Sequence, residues 1–370
     1  MKEKPHEIGT FKQTYPEMYS ENPHRGSLKT EAKMKTAVQH THVCTAALIS
    51  KDLKSKGELK VVRLPAFKGI IKYIFRVLYD FFLLPAASFI LNASAVIVLA
   101  NYSPMIVRGK KIVFMRHLFL VDDYPKDYNN LKNNAIEKLR RLVFWLTLKT
   151  TDIIVVQSSF MKDALLMRYG KIVSKIVVMP NPVSNLIDRT GENISYEHVD
   201  RNDNFVLYVS RYYPHKQHIF LLRLVEKFKT QLRHKNIKFY ITVDKRESNV
   251  EARNFLDKIL KLTLSDIINN IGELHTDNLS MYYRSAKCFF FPSTSETFGN
   301  PLVEAMAFGL PIVVTDLNYA KNVCSEAGIY YKVNEIDDAF DKIITLFEDQ
   351  SIKEDFSLRS CLRVNNFSTT

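Results

Sequence analysis

The sequence has few cysteines and few glycines, and its cysteines form no recognisable pattern. Four cysteines, Cys44, Cys288, Cys324 and Cys361, lie far apart among 370 residues, with no C-x-x-C pair and no histidines at zinc-site spacing. This arrangement excludes a disulfide framework and a structural zinc site, and it indicates a reducing compartment. Only 11 glycines, with 46% apolar and 25% charged residues, exclude collagen-like and disordered chains. The length is enough for about two domains.

The sequence predicts neither a secretory signal nor a membrane span. Residues 1–26 contain no apolar core of the kind that a secretory signal needs. Residues 81–100, FFLLPAASFILNASAVIVLA, are uncharged over the length of a bilayer core. Pro85, Asn92 and two serines interrupt this segment. We therefore expect a buried helix followed by a buried strand in preference to a membrane span.

Positive charge is concentrated in the first half of the chain. Residues 1–180 carry 29 basic and 14 acidic side chains, whereas residues 181–370 carry 23 and 25. The basic half predicts an anionic partner, namely nucleic acid, an acidic membrane surface or a phosphorylated substrate, with a solvated basic surface as the alternative. Lys68, Lys72 and Arg76 repeat every four residues along one predicted helix, and they are our candidates for contact with an anionic membrane.

Short β-rich apolar runs alternate with helical patterns, which is typical of parallel α/β sheets with crossover helices. The predicted strands of the first half are Leu59–Arg63, Ala95–Ala100, Lys111–Met115, Asp152–Val156 and Lys175–Met179. Those of the second half are Phe205–Val209, Lys238–Val243, Ile267–Ile271, Cys288–Phe291 and Ile312–Val314. Ser158 or Ser159 can cap a helix that Gly170 ends. We predict an α/β protein of two doubly wound lobes that face each other across a cleft.

The most informative segment for function is 288–316, CFFFPSTSETFGNPLVEAMAFGLPIVVTD. A buried strand leads into a small polar loop with Glu296, and Asn300-Pro301 then has the form of an N-cap and a first helical residue. The loop is expected at the carboxyl end of a strand, where open α/β sheets bind ligands and helix amides attract phosphate. Glu296 and Glu304, which we place in the first helical turn, could each accept two hydroxyl hydrogen bonds from a sugar or ribose. The alternative is a solvated loop glutamate and a charge that complements the helix dipole.

A second candidate segment, SRYYPHKQ, follows strand Phe205–Val209. Arg211 and Lys216 leave the strand end together, and Pro214 stiffens the turn between them. Both cations could converge on a diphosphate held by the neighbouring helix terminus. Two exposed basic residues on a loop are the alternative interpretation.

These segments resemble the GT-B fold glycosyltransferases that use nucleotide-sugar donors, specifically the large retaining family 4. The resemblance is carried by YVSRYYPHK, by residues 271–316 with their Glu-x7-Glu spacing, and by IIVVQSSFMKDALLMRYG followed by KIVVMPNPV. It covers about residues 150–330. The polar, turn-rich stretch before residue 205 predicts a linker at 183–204 between Rossmann-like lobes at 46–182 and 205–370, with 1–45 a poorly ordered segment. The resemblance implies that the first lobe takes the acceptor and the second lobe binds the donor.

The resemblance also implies roles for individual residues. Arg211 and Lys216 match the pair that neutralises the nucleotide diphosphate, and Glu304 matches the carboxylate that holds the ribose hydroxyls. Glu296 matches the catalytic carboxylate near the donor sugar. The remaining matches are His117, which in the family approaches the donor sugar from the first lobe, and the loop amides of Phe298, Gly299 and Asn300. The family retains anomeric configuration and needs no bound metal or other cofactor.

The sequence departs from the family pattern at its ends. Residues 1–45 contain no hydrophobic first strand with a glycine-rich loop, so we expect a first lobe that is incomplete at its amino terminus. The family's chains usually continue into a helix that returns to the first lobe, and from the end at RVNNFSTT we expect that helix to be missing. The sequence agrees with the family in lacking a D-x-D metal motif at a strand end, since the adjacent pair Asp122-Asp123 has the wrong spacing.

The function expected from the sequence is transfer of a sugar from UDP- or GDP-sugar to a lipid-linked or polysaccharide acceptor. The expected location is the cytoplasm, including the inner face of the cytoplasmic membrane. A truncated transferase that binds sugar nucleotides with little or no turnover is the main alternative, and a nucleotide-sugar epimerase is a further one. A nucleic-acid-binding protein is disfavoured because no basic motif with interleaved aromatics is present.

Overall fold

The computed structural model describes residues 44–50, 59–63, 78–122, 131–172, 175–181, 204–244, 249–274 and 276–367. The chain divides into an amino-terminal unit, Met1–Pro180, and a carboxyl-terminal unit, Asn181–Thr370. Three sets of predictions lie outside the described residues: those for residues 1–43, for the linker up to residue 203, and for the stripe of Lys68, Lys72 and Arg76.

The amino-terminal unit contains a six-stranded sheet of order β2-β1-β3-β4-β5-β6. Its strands are β1 (Cys44–Ser50), β2 (Leu59–Arg63), β3 (Ala93–Val98), β4 (Lys110–Phe114), β5 (Ile153–Val156) and β6 (Lys175–Val178). Its helices are α1 (Leu84–Ile90), α2 (Leu131–Lys149) and α3 (Ser159–Tyr169), with short 3₁₀ turns at Leu118–Leu120 and Gly170–Ile172. The sequence-predicted strands of this half are confirmed within two residues at each end.

Strand β1 was not predicted from the sequence, and it begins at Cys44, two residues before residue 46, where the first lobe was expected to begin. It lies between β2 and β3 and runs antiparallel to both, whereas β3 to β6 are parallel. The expectation of a purely parallel sheet is therefore wrong here. Only residues 51–58 join β1 to β2, and a parallel connection needs a dozen or more residues, so this pair must form a hairpin.

The uncharged segment 81–100 forms a helix and a strand, as expected. A π-helical turn, Tyr79–Leu83, continues into α1, whose first turn contains Pro85, and Asn92 turns the chain at φ 47° before β3. In the part of the chain that the structure describes, no helix has the length and apolarity to cross a membrane.

Helix α3 begins and ends at the predicted signals. The Ser158 side chain caps it by accepting a hydrogen bond from the backbone nitrogen of Met161 at 3.3 Å. Gly170 ends it at φ 64°, a conformation that glycine adopts without steric cost.

The carboxyl-terminal unit is a parallel, doubly wound domain with strand order β12-β11-β10-β7-β8-β9. Its strands are β7 (Asn204–Tyr208), β8 (Ile237–Ile241), β9 (Ile268–Asn270), β10 (Cys288–Phe291), β11 (Ile312–Thr315) and β12 (Gly328–Tyr331). Its helices are α4 (His218–His234), α5 (Val250–Lys261), α6 (Thr276–Ser285), α7 (Asn300–Ala307), α8 (Asn318–Cys324), α9 (Ile336–Glu348) and α10 (Gln350–Val364). Counted along this unit, the order is the 3-2-1-4-5-6 of the Rossmann fold.

Strand β10 runs through the centre of this sheet. All four of its residues are buried, and it pairs with β7 on one side and β11 on the other. Its apolar run, CFFF, is the continuous hydrophobic stretch that a parallel strand covered on both faces requires. Because the strand is fixed from both sides, the loop that follows it starts from a rigid position.

Candidate functional site

The candidate site lies where the strand order of the carboxyl-terminal sheet reverses. Strands β7 and β10 are neighbours, and the chain continues from β7 to β8 on one side and from β10 to β11 on the other. Their carboxyl ends therefore open the crevice in which doubly wound sheets bind ligands. Both segments singled out in the sequence begin there, as the 210–217 turn after β7 and the 292–299 loop after β10.

The backbone of the 210–217 turn is held by buried groups. The Tyr208 hydroxyl donates a hydrogen bond to the carbonyl of Lys216, and the Ser210 nitrogen donates one to Thr242 Oγ1 at 2.9 Å. Pro214–Lys216 forms a 3₁₀ turn, and Gln217 then adopts a left-handed conformation at φ 59° immediately before α4. These constraints fix the Lys216 backbone.

The 292–299 loop is tied to the 210–217 turn and to β11. The backbone nitrogen of Thr294 donates to the His215 carbonyl at 2.8 Å. The Ser293 carbonyl accepts hydrogen bonds from Thr315 Oγ1 at 2.8 Å and from the Tyr319 hydroxyl at 2.7 Å. The two candidate segments, far apart in sequence, are thus parts of one site.

Lys216 and Glu296 meet directly in this site. Lys216 Nζ donates to Glu296 Oε1, and the side chains are only 14% and 13% exposed. Ser293 Oγ donates to the same carboxylate oxygen at 2.7 Å, and the Phe291 ring lies 5.0 Å from the ammonium. With so little water available, this pair is weakly screened, and it depends on the serine to complete its hydrogen bonding.

Arg211 occupies a different environment. Its Nη2 atom donates to Glu273 Oε1 at 2.8 Å, and the two side chains are 59% and 43% exposed. Glu273 follows the carboxyl end of β9, so the contact joins two loops on the same edge of the sheet. Because solvent screens this pair, its net contribution to stability is small.

Glu304 is held by a tyrosine that sequence reasoning missed. The buried hydroxyl of Tyr283, on α6, donates to Glu304 Oε2 at 3.0 Å. Burial raises the pKa of Glu304 above the ordinary carboxyl value, and the tyrosine hydrogen bond offsets part of that shift. The only sequence signal for Tyr283 and Glu273 as site residues is their position, on segments that lie next to predicted strands of this sheet.

The start of α7 lies one residue earlier than the sequence suggested. Gly299, at φ 90°, is the N-cap, Asn300 is the first helical residue, and Pro301 is the second. Glu304 consequently lies beyond the first turn, and the placement of Glu304 in that turn is wrong. The reason is that glycine can adopt the left-handed entry conformation, which moves the helix start ahead of the expected asparagine cap.

Phe298 in the 292–299 loop and Asn300 at the start of α7 have different environments. The Phe298 ring is buried and packs edge-on against Phe367 at 5.6 Å, so its side chain belongs to the core. Asn300 is exposed, and its Oδ1 accepts a hydrogen bond from Asn181 Nδ2 at 2.6 Å.

His117 lies in the amino-terminal unit, three residues beyond β4. Its ring packs edge-on against Phe119 at 5.7 Å, and burial lowers its pKa, so the neutral imidazole is favoured. Within the described ranges, no group of three or more His, Cys, Asp or Glu side chains could hold a metal ion.

The structure brings two of the four charged donor-site candidates into contact. Lys216 and Glu296 pair with each other, while Arg211 and Glu304 contact Glu273 and Tyr283. All four lie on loops or helices beside the carboxyl ends of β7, β9 and β10. The roles assigned to them remain predictions.

Comparison with solved structures defines the fold class. A glycosyltransferase from Rickettsia africae matches with a TM-score of 0.61 at 20% identity, covering 82% of this chain and 80% of that chain. The Anabaena protein HepE, in complex with UDP and glucose, matches with a TM-score of 0.60 at 14% identity, covering 83% and 81%. The predicted GT-B fold class, with two Rossmann-like α/β units, is confirmed.

Comparison of sequences supports a more particular assignment. Residues 192–360 match the family model described as glycosyl transferases group 1. A capsular polysaccharide biosynthesis glycosyltransferase of Staphylococcus aureus is 26% identical over 58% of this chain and 57% of its own length. A Campylobacter jejuni enzyme is 23% identical over 64% and 62%; its name is N-acetylgalactosamine-N,N'-diacetylbacillosaminyl-diphospho-undecaprenol 4-alpha-N-acetylgalactosaminyltransferase. These matches support the superfamily of group 1 glycosyltransferases, although the chain spans less than two thirds of either relative.

Proposed function

We propose that this chain is a glycosyltransferase that moves a sugar from a nucleotide-sugar donor, UDP- or GDP-linked, to a lipid-linked or polysaccharide acceptor. One observation carries the proposal: the 210–217 turn and the 292–299 loop meet at the switch point of a Rossmann-type sheet, where Lys216 contacts Glu296. The group 1 family match covers both segments. Donor binding at this edge also agrees with how such sheets hold nucleotides.

The departing diphosphate is the group that the site must stabilise. Cleavage of the anomeric bond builds negative charge on the phosphates and positive charge on the sugar ring. We assign Lys216 and Arg211 to the diphosphate, together with the amino terminus of α7, whose dipole favours an anion. Glu304, oriented by Tyr283, accepts hydrogen bonds from the ribose hydroxyls, and Glu296 faces the donor sugar.

Retention of anomeric configuration and independence from a bound metal are parts of the proposal that rest on the resemblance to family 4. The assignment of His117 to the donor sugar rests on the same resemblance. Proton NMR of the first-formed product gives the anomeric outcome, and transfer in the presence of EDTA tests the metal requirement.

The acceptor class follows from the relatives. Their names specify capsular polysaccharide synthesis in one case and a sugar on undecaprenyl diphosphate in the other. An O-antigen chain mannosyltransferase of Salmonella typhimurium is a third relative, 25% identical over 51% of this chain. We therefore propose a growing polysaccharide or a lipid-linked glycan as acceptor.

Calorimetric titration with UDP, GDP and ADP tests the donor site. We expect one of them to bind, and Lys216→Ala and Glu304→Ala each to weaken binding by about 1–3 kcal/mol, since each removes a charged contact. Unchanged affinity in both variants would remove the diphosphate and ribose assignments. Donor hydrolysis and transfer assays then distinguish an active transferase from a sugar-nucleotide-binding protein that has lost turnover.

We also propose that the protein works in the cytoplasm at the inner face of the cytoplasmic membrane. Support comes from the basic first half of the chain and from large apolar side chains exposed in the amino-terminal unit. Phe81 and Phe82 are 60% and 65% exposed beside α1, and Leu139 and Leu142 project from α2. Apolar side chains flanked by cations are suited to an anionic lipid surface.

A further inference from the structure

The ammonium group that we assign to the diphosphate is already occupied by a carboxylate of the same chain. Lys216 Nζ donates to Glu296 Oε1 in a region where both side chains are mostly buried. A phosphate oxygen that approaches Lys216 therefore approaches a fixed negative charge as well.

Glu296 is held at this position from the protein side. Ser293 Oγ donates to the same Oε1 atom at 2.7 Å, and Ser293 has no exposed surface. The serine carbonyl is anchored in turn by Thr315 and Tyr319. Because this support comes from the core, the carboxylate remains near Lys216 when a ligand arrives.

The low exposure of the pair determines how strongly the carboxylate opposes a bound anion. Coulomb energies between groups a few ångströms apart reach kilocalories at the effective dielectric of a partly buried site, and salt screens them little. Solvent screens the Arg211–Glu273 pair much more strongly, because both side chains are about half exposed. Of the two carboxylates paired with the proposed diphosphate cations, Glu296 therefore repels a diphosphate more strongly than Glu273 does.

We propose that Glu296 makes the site discriminate against the sugar-free nucleoside diphosphate, which is the product of transfer, in favour of the intact nucleotide sugar. The donor's sugar hydroxyls can donate hydrogen bonds to the carboxylate and offset the repulsion of the diphosphate. A free nucleoside diphosphate carries no such hydroxyls, and its terminal phosphate has additional negative charge. Glu296 thereby weakens product binding and speeds its release. This inference rests on the proposed function.

Glu296→Gln is the test, because glutamine keeps the size and hydrogen-bonding oxygen but removes the charge. We expect the variant to bind the nucleoside diphosphate on the order of tenfold more tightly than the wild type. The panel of probes is UDP, GDP, ADP, UDP-glucose, UDP-N-acetylglucosamine and GDP-mannose, measured by calorimetry. Affinity for any nucleotide sugar that binds should stay equal or fall, so the preference for the intact donor shrinks.

Two further variants make the result specific. Asp337→Asn removes the same unit of charge from an exposed pair with Lys227, so it should leave nucleoside diphosphate affinity unchanged. Lys216→Met should weaken binding of nucleoside diphosphate and nucleotide sugar alike. Thermal unfolding confirms that each variant is folded.

The outcomes separate this inference from the proposed function. If the wild type binds no nucleoside diphosphate and no nucleotide sugar, the donor-site assignment falls and the inference falls with it. If the wild type binds a nucleoside diphosphate and Glu296→Gln binds it equally or less tightly, the donor site stands and only the role of Glu296 is overturned. Equal tightening in Asp337→Asn would also overturn it, because net charge alone would explain the effect.

Discussion

Lys111, the second residue of β4, buries its ammonium group among oxygen acceptors. Its Nζ atom donates to the carbonyls of Pro104 and Met105, the latter at 3.1 Å, and to Thr150 Oγ1 at 2.8 Å. Three acceptors match the three donors of an ammonium group, so the buried charge is fully hydrogen-bonded. These hydrogen bonds attach the loop between β3 and β4 to the first residues of β4.

The pH dependence of stability should reveal this buried lysine. Burial lowers the pKa of Lys111 from 10.5 to about 8, with Asp152 offsetting part of the shift. Between about pH 8 and pH 10.5, the Lys111 side chain holds a proton in the unfolded chain but has released it in the folded protein. The contribution of Lys111 to the free energy of unfolding therefore rises with pH, by on the order of 2 kcal/mol across the window.

Lys111→Met should remove that rise. Denaturant unfolding of the wild type and the variant at about pH 7 and about pH 10 measures the difference. Lys110→Met, which changes the exposed neighbouring lysine, is the matched control and should keep the wild-type pH dependence. The same slope in Lys111→Met as in the wild type would contradict the argument.

At the scale of elements, α10 donates hydrogen bonds to the chain segments where α7 and α8 end. Ser357 Oγ donates to the Gly309 carbonyl at 2.5 Å, and Ser360 Oγ donates to the Leu310 carbonyl at 2.8 Å, both just after α7. Arg363 donates to two carbonyls near the end of α8. Carbonyls in the last turn of a helix lack partners within that helix, so Arg363 supplies partners for two such groups of α8, and the two serines pair carbonyls in the turn after α7.

Gly309→Ala tests how closely α10 packs on the end of α7. Gly309 has φ 67°, and a Cβ there would lie 2.9 Å from Cys361 Sγ. Gly272 has φ 74° but would place its Cβ in open space, so Gly272→Ala measures the backbone cost alone, about 1–2 kcal/mol. We expect Gly309→Ala to cost about 1 kcal/mol more in denaturant unfolding. Adding Cys361→Ala should abolish this excess; equal costs at both glycines would show that α10 does not pack closely there.

The elements that could be predicted from sequence are those with local signals. Strand β10 is a run of four buried residues, and α3 has both a serine cap and a glycine stop, so each was correctly bounded. Strand β1 has only a short uncharged stretch, CTAALIS, and its place inside the sheet depends on pairing with β3, which lies far along the chain. The N-cap at Gly299 was missed because an asparagine cap and a glycine cap fit the same local sequence.

For the whole molecule, the uneven charge predicts salt-dependent attachment to anionic vesicles through the amino-terminal unit. We expect flotation with vesicles containing phosphatidylglycerol at low salt and release at high salt, because surface attraction is screened. Binding to purely neutral vesicles of equal strength would defeat the electrostatic account. Replacing Lys68, Lys72 and Arg76 together by alanine should weaken flotation, since each basic residue near the surface contributes roughly 1 kcal/mol.

A pair of serine substitutions distinguishes the apolar contribution. Leu139→Ser with Leu142→Ser removes two exposed side chains of α2 and should reduce flotation. Leu358→Ser with Leu362→Ser removes two similarly exposed leucines of α10 in the carboxyl-terminal unit and should leave it unchanged. Equal loss in both pairs would show that general surface hydrophobicity, and not the amino-terminal unit, determines binding.

The sequence by itself determined the α/β class, two Rossmann-like units and the two segments of the candidate site, since hydrophobic periodicity, caps and turn residues act between near neighbours. Only the tertiary structure decided which charges meet. Lys216 and Glu296 are 80 residues apart, and Glu304 depends on Tyr283 from another helix. Such pairs are set by the order of strands in the sheet and by side-chain packing at its edge, which no local pattern specifies.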